Sequence, residues 1–217
     1  MIKAYTIAPC SSEQKDAVLA LARDGFSPSF CDEGIVDLLQ NVLAIEARGH
    51  LLVATLGDRV VGFAGYDFLR DDPVLKDKHI LVDLDWGRHK EDERILLEYR
   101  AEEYRQYGEK TYGNGGVFVE YFENQFTVDE TIQPQDADMC LTHLVVDPAF
   151  QRRGIGQALT EARINIAKQE NASAGYVIIW DREPIRRMYE KLDFQSIIRY
   201  SPGYSDGSPM RLLGLRL

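Results

Sequence analysis

The chain has 217 residues, 45% of them hydrophobic, with 35 Asp and Glu against 25 Lys and Arg for a net charge of −10. That length and apolar content fit a folded domain with a core of its own rather than a disordered chain, and the acidic balance argues against nucleic-acid binding through a basic surface. No apolar run approaches the roughly 20 residues that span a bilayer, the start Met1-Ile2-Lys3-Ala4-Tyr5 lacks a signal-peptide apolar core, and Cys10, Cys31 and Cys140 are too few and too scattered for a disulfide framework or a zinc site; no metal, no membrane and a reducing, cytoplasmic setting are the expectations.

Ile2 to Ala8 alternates well enough to predict a first strand. Ser11 opens a helix: Gln14 stands at capping-box spacing, and Val18, Leu19, Leu21 and Ala22 make an apolar face. A second helix is predicted over about 29–47, with Ile35, Leu38, Leu39, Val42, Leu43 and Ile45 inward and Gly49 ending it. Leu51–Leu56 and Val60–Phe68 read as strands joined in a tight hairpin at Gly57-Asp58. Gly62 and Gly65 inside the second strand point to a close approach of another backbone.

An acidic stretch follows. Leu69 to Asp138 holds 18 Asp and Glu against 9 Lys and Arg, so a net of −9 out of −10 lies in one third of the chain. Arg88 to Tyr107 reads as a charged helix with an incomplete apolar stripe, Val117 to Phe122 alternates like a short strand, and 123–138 is loop-like. The pattern then becomes regular: strand 139–146, a glycine turn, helix 154–170, strand 175–180, helix 184–192, strand 194–200 and strand 210–217. Pro184 suits a first helical turn, with Asp181 near its positive end.

The glycine turn is the most informative segment. Gln151-Arg152-Arg153-Gly154-Ile155-Gly156 lies between an apolar strand and a helix whose Ile155, Leu159, Ala162 and Ile166 share one face. The first amides of a helix have no intrahelical partner and carry the positive end of its dipole, and glycines let the main chain come close to a ligand. Such a turn suits a pyrophosphate. It is not a P-loop, since no Gly-Lys occurs, and it lacks the third glycine of a dinucleotide fingerprint, which would fall at Leu159.

Gln-Arg-Arg-Gly-Ile-Gly matches [Gln/Arg]-x-x-Gly-x-[Gly/Ala], and here the chain resembles the GNAT superfamily of acyl-CoA-dependent N-acyltransferases. A second signature, Arg186-Arg187-Met188-Tyr189-Glu190-Lys191-Leu192-Asp193-Phe194, is similar to the family's final Leu-Tyr-Glu-Lys-Leu-Gly-Phe helix. The order of elements agrees over the whole chain except about 69–138, where the family has a short connection. The resemblance implies one α/β (α+β) domain over 1–217, with an acidic insertion at about 69–138. It implies a mixed sheet of about six to seven strands, flanked by helices and splayed between two parallel strands, here 139–146 and 175–180.

It also implies an N-acetyltransferase that moves the acetyl group of acetyl-CoA directly to a primary amine. Backbone groups of Leu144, Val145 and Val146 would bind the pantetheine arm and the thioester carbonyl. Gln151, Arg152, Arg153, Gly154, Ile155, Gly156 and Gln157 would hold the pyrophosphate. Tyr189 matches the tyrosine taken as general acid for the leaving thiolate. Asp193 stands in place of a glycine but tolerates a left-handed turn, and Arg182 replaces an asparagine that the family often keeps near the pantetheine. No carboxylate follows Asp138 on the strand where the family often keeps its base, which leaves His143 as the titratable candidate for base or acceptor-pocket residue. The net −9 of the acidic stretch, with Trp86, Tyr99, Tyr104 and Tyr107, suggests a lid over a site for a small cationic amine. The alternatives are a non-catalytic acyl-CoA-binding or protein-interaction module, and a transferase acting on protein N-termini or lysines; monomer and homodimer both remain open.

Overall fold

The structure, a computed structural model, describes residues 5–27, 32–71, 119–122, 135–201 and 210–217. In chain order these form β1 (Thr6–Pro9), α1 (Lys15–Phe26), α2 (Asp32–Ala47), β2 (Leu51–Leu56), β3 (Arg59–Phe68), β4 (Val119–Phe122), β5 (Met139–Val146), α3 (Ile155–Gln169), β6 (Ala174–Trp180), α4 (Glu183–Glu190), β7 (Gln195–Ser201) and β8 (Met210–Arg216). The strands make one sheet in the order β1-β2-β3-β5-β6-β8-β7-β4. Every pair is antiparallel except β5–β6. The expected six or seven strands become eight because the 117–122 segment, read as a short strand, joins the edge as β4 against β7. The expected charged helix at 88–107 lies outside the described residues.

Strand periodicity, interrupted by a bulge at Val61 in β3, sorts the apolar residues to two faces. Leu52, Ala54, Val61 and Ala64 pack with Ile155 and Leu159 of α3 and Tyr189 of α4. Leu51, Val53 and Phe63 face the other way, against Val18 and Ala22 of α1 and Val42 and Ile45 of α2. Local signals hold where predicted. Ser11 and Gln14 form the capping box, although the residues they cap begin as a short 3-10 turn, Ser12–Gln14, before α1. Gly49 and Gly57 take positive φ at the helix end and the hairpin, and Asp193 takes φ 64 just after α4.

The two ends of the acidic stretch meet at one place, between β3 and β5. Leu69 N–H donates to the Asp138 carbonyl at 3.0 Å and Arg70 N–H to the Asp136 carbonyl at 2.9 Å. Asp138 is 0% exposed. Its carboxylate accepts from the backbone of Gln135, Ser173 and Ala174 and from the Ser173 hydroxyl, which ties both ends to the start of β6. These roots sit at the N-terminal end of β5, opposite the glycine turn.

Gly62 meets the expected backbone, since a Cβ there would stand 3.0 Å from the Val145 carbonyl oxygen, whereas Gly65 is crowded by side chains. A Cβ at Gly65 would stand 2.4 Å from Thr142 Oγ1 and 3.3 Å from Ile45 Cγ2. Gly65→Ala is therefore expected to cost on the order of 2 kcal/mol as an overpacked core position. Urea denaturation would read it as a lower midpoint at unchanged slope, and an unchanged midpoint would show that Thr142 rotates away freely.

Candidate active site

β5 and β6 pair only at Met139↔Gly175 and Cys140↔Tyr176. Beyond these positions neither strand is the other's partner, while β5 stays bonded to β3 through Val146 and β6 to β8 through Trp180. The two parallel strands thus open into a fork with backbone groups of both strands along its inner edges. The physical cause is a bulge in β5. Ala64 pairs with Leu144 and Tyr66 with Leu141, so Thr142 and His143 together stand opposite Gly65. A bulge bends its strand and increases the local twist, which carries Leu144–Val146 away from β6.

At the wide end of the fork lies the glycine turn. Gly154 caps α3 with φ 81, in the left-handed region, and Arg152 also has positive φ. The first intrahelical bond runs from Ala158 N–H to the Gly154 carbonyl at 2.9 Å. No side chain caps the helix and no acidic residue occupies its first turn. The amides of Ile155, Gly156 and Gln157 therefore carry the positive end of a 15-residue helix without an internal partner. Gln151 braces the turn: its Nε2 donates to the Val146 carbonyl at 3.0 Å. Arg153 folds back, donating to the Ala149 carbonyl at 3.1 Å and lying over the Phe150 ring. Arg152 is exposed and makes no hydrogen bond or ion pair among the described residues. Of the two arginines it is the freer to meet a phosphate. Asp147, the nearest acid, is neutralised by Arg59 at 2.6 Å and accepts from Ala149 N–H.

Gly156 is also closely packed on its Cα side. A Cβ there would meet Met188 Sδ at 3.4 Å, Val146 at 3.7 Å and Leu144 at 3.9 Å. It faces α4 and β5, inside the fork, rather than the space before the helix amides.

The two catalytic candidates flank the fork from opposite faces of the sheet and do not touch. Tyr189 is 2% exposed, its ring edge-on to Phe194 at 5.1 Å, in the core under α3 and α4. His143 lies on the α1 side, edge-on to Phe26 at 6.0 Å; Phe26 in turn meets Trp180 of β6 at 5.6 Å. Phe26 and Trp180 were not singled out by sequence, and only the fold brings them to His143. His143 Nδ1 is buried without a hydrogen-bond partner among the described residues. Burial lowers its pKa from 6.5 to about 4, against the raising effect of Asp67 and with a further lowering by Arg163. The ring is neutral at pH 7. Since the unfolded chain takes up this proton first, stability is present above about pH 6.5 and is lost as pH falls towards about 4. His143→Gln is expected to flatten that slope; parallel urea midpoints for both proteins between these pH values would refute it.

Arg182 caps α4, exposed, with its guanidinium over Trp180 at 5.3 Å. Asp181 does not serve the start of α4 through its dipole alone: it forms ion pairs with Arg186 at 3.0 Å and Arg211 at 2.7 Å. The residue that sequence reading missed is Arg163. The buried stripe of α3 is Ile155, Leu159, Arg163 and Ala167, with Thr160 beside it, so an arginine occupies a core position where Ala162 and Ile166 were expected to face inward. Its i+8 spacing from Ile155 was the available signal.

Among the described residues no group of three His, Cys, Asp or Glu is placed to hold a metal, and no helix is long and apolar enough to cross a membrane. Residues 113–196 match the profile of the acetyltransferase (GNAT) domain. No protein of curated function matches the sequence. Among solved structures the fold is similar to Ard1 from Thermoplasma volcanium, at 15% identity and TM-score 0.56 over 99% of this chain and 98% of that one. It is also similar to the ribosomal-protein-alanine N-acetyltransferase from Brucella melitensis, at 14% identity and TM-score 0.58 over 98% and 99%. A third is yncA from Salmonella typhimurium, solved with its cofactor acetyl-CoA, at 14% identity and TM-score 0.59 over 99% and 94%.

Proposed function

We propose that this chain, whose residues 113–196 match the acetyltransferase (GNAT) domain profile, transfers the acetyl group of acetyl-CoA to a primary amine, with a small cationic amine as its acceptor. The observation that carries this reading is the fork between β5 and β6, open towards the uncapped N-terminus of α3. A fork edge offers backbone donors and acceptors to an extended amide-bearing arm, and the helix amides offer an anion site at its mouth. The residues fit CoA on both counts.

When bound, acetyl-CoA supplies an activated acyl carbonyl. The chain's own residues divide the remaining work. Amides of Ile155, Gly156 and Gln157, with Arg152, hold the pyrophosphate; Leu144, Val145 and Val146 present backbone to the arm. Tyr189 donates its hydroxyl proton to the departing sulfur. His143, neutral, lines the acceptor side of the fork. The burial that keeps it neutral also makes it a weak base, so the amine's proton passes to solvent. Phe26 and Trp180 complete an apolar wall beside it.

The cationic preference rests on the net −9 of residues 69–138, whose two ends are bonded together at the N-terminal end of β5. Such a field raises the local concentration of a positive ligand and weakens with salt. Free-thiol release from acetyl-CoA across polyamines, arylalkylamines, amino acids, aminoglycosides and peptides tests the whole reading. Turnover of cationic amines with a Michaelis constant that rises with ionic strength is expected. Equal turnover of anionic acceptors, indifferent to salt, would remove the steering role. Selective turnover of peptides would move the acceptor to protein N-termini or lysines, and thermal stabilisation by CoA without turnover of anything would leave a binding module.

A further inference from the structure

Arg163 is 0% exposed and has no carboxylate partner among the described residues. Its guanidinium is held by neutral groups. Nη1 donates to the Gly65 carbonyl at 3.0 Å and to the Thr142 carbonyl at 3.4 Å. Nη2 donates to Thr160 Oγ1 at 2.9 Å and lies 3.5 Å from Tyr189 Oη. Thr160 in turn donates to the Gly156 carbonyl. One side chain thereby joins the bulge that opens the fork, the first turn of α3 and the candidate acid. Part of this is structural, since a bulge interrupts the ladder and leaves carbonyls that need donors. Neutral donors would satisfy carbonyls at lower cost, however, because a buried charge without a counter-ion carries a large desolvation penalty. Burial indeed lowers the pKa of Arg163, with Tyr189 acting in the opposite direction. A cation kept at such cost beside a phenol is suited to a step in which that phenol becomes negative.

We propose that Arg163 is a positioning residue for Tyr189, fixing the phenol oxygen at the fork and offsetting the charge it acquires when its proton leaves. A guanidinium only donates, so the phenol oxygen accepts from Arg163 and its own O–H stays available to donate. As the carbon–sulfur bond breaks, its electron pair goes to sulfur, and the phenol proton forms the new S–H bond. The phenol oxygen keeps its O–H electron pair beside Arg163 until solvent returns a proton. The amine nitrogen forms the bond to the acyl carbon and loses one proton to solvent, so the products are the N-acetyl amine and free CoA thiol. The role rests on the acetyl-transfer reading and on Tyr189 as its acid.

The test is a double-mutant cycle read by thiol release with acetyl-CoA and the best acceptor, crossing Arg163→Met and Arg163→Lys with Tyr189→Phe. Arg163→Met is expected to lower kcat about tenfold or more while the Michaelis constant for acetyl-CoA stays within about threefold. In the Tyr189→Phe background the same change should lower kcat less than about twofold, because the group it serves is gone. Arg163→Lys keeps the charge and should recover part of the loss only when Tyr189 is present. Wild-type kcat in Arg163→Met, or equal losses in both backgrounds, would make Arg163 a support of the bulge alone and overturn the proposal. If Arg163→Met fails to fold, the lysine variant carries the cycle with the same criterion. A wild-type protein that releases no thiol with any acceptor would instead overturn the acetyl-transfer reading, and this role with it.

Discussion

Tyr189→Phe is expected to lower turnover about 10²–10⁴-fold, the usual contribution of a positioned acid or base. The change removes one oxygen from a side chain that is 2% exposed and edge-on to Phe194. The ring therefore keeps its packing, and Met188 and Leu192, which pack against the same core, are untouched. The lost contact to Arg163 is long, at 3.5 Å, so the stability cost should stay near the roughly 1 kcal/mol of one ordinary hydrogen bond. The hydroxyl is assigned to the leaving sulfur and not to the ground-state cofactor, so the dissociation constant for CoA should change by less than about threefold. Single-turnover rates separate chemistry from product release. A rate within about twofold of wild type under chemistry-limited conditions would return Tyr189 to a packing role and remove the acid from the mechanism.

CoA at about 100 times its dissociation constant should stabilise the fold by roughly 2.7 kcal/mol, and Gly154→Val should abolish that gain. Gly154 adopts φ 81, a conformation that a β-branched residue avoids, and it is the residue from which α3 begins. Valine would rotate the first turn and turn the amides of Ile155, Gly156 and Gln157 away from a common point. The contrast is Gly156→Ala, whose Cβ would meet Met188, Val146 and Leu144 at ordinary contact distances of 3.4–3.9 Å. That variant should keep most of the stabilisation. Each variant is compared with its own ligand-free melting temperature, which separates cofactor binding from the strain of the substitution. Retention of the full shift in Gly154→Val would show that the pyrophosphate is not held by this turn; absence of any shift in the wild type would remove CoA from the site altogether.

Most of the frame was legible because its signals are local. The capping box of Ser11 and Gln14, the Gly57 hairpin, the glycine-started α3 and the left-handed Asp193 each depend on residues within a few positions of one another. The edges of the predicted helices and strands shift by up to four residues where the first or last turn is a 3-10 turn or where flanking residues are not described. The strand count rose to eight through the pairing of β4 with β7, a partnership between residues nearly 80 positions apart that no local pattern announces.

By itself the sequence determined the order of elements and the position of the glycine turn, since each is written in periodicity or in a contiguous motif, and resemblance to a known family made Tyr189 a candidate. Tertiary structure decided what those residues do. It showed that Gln151 and Arg153 brace the turn and that Arg152 has no partner among the described residues, because the Val146 and Ala149 carbonyls face Gln151 and Arg153 only once the turn is formed. It put His143 beside Phe26, which in turn meets Trp180, and lowered its pKa to about 4, since burial is a property of the packed sheet and not of the residue. It also placed Arg163 in the core. Helical spacing allows that position, but charge argues against it, and only the bulge carbonyls of Gly65 and Thr142, together with the hydroxyls of Thr160 and Tyr189, give an arginine there enough acceptors to remain.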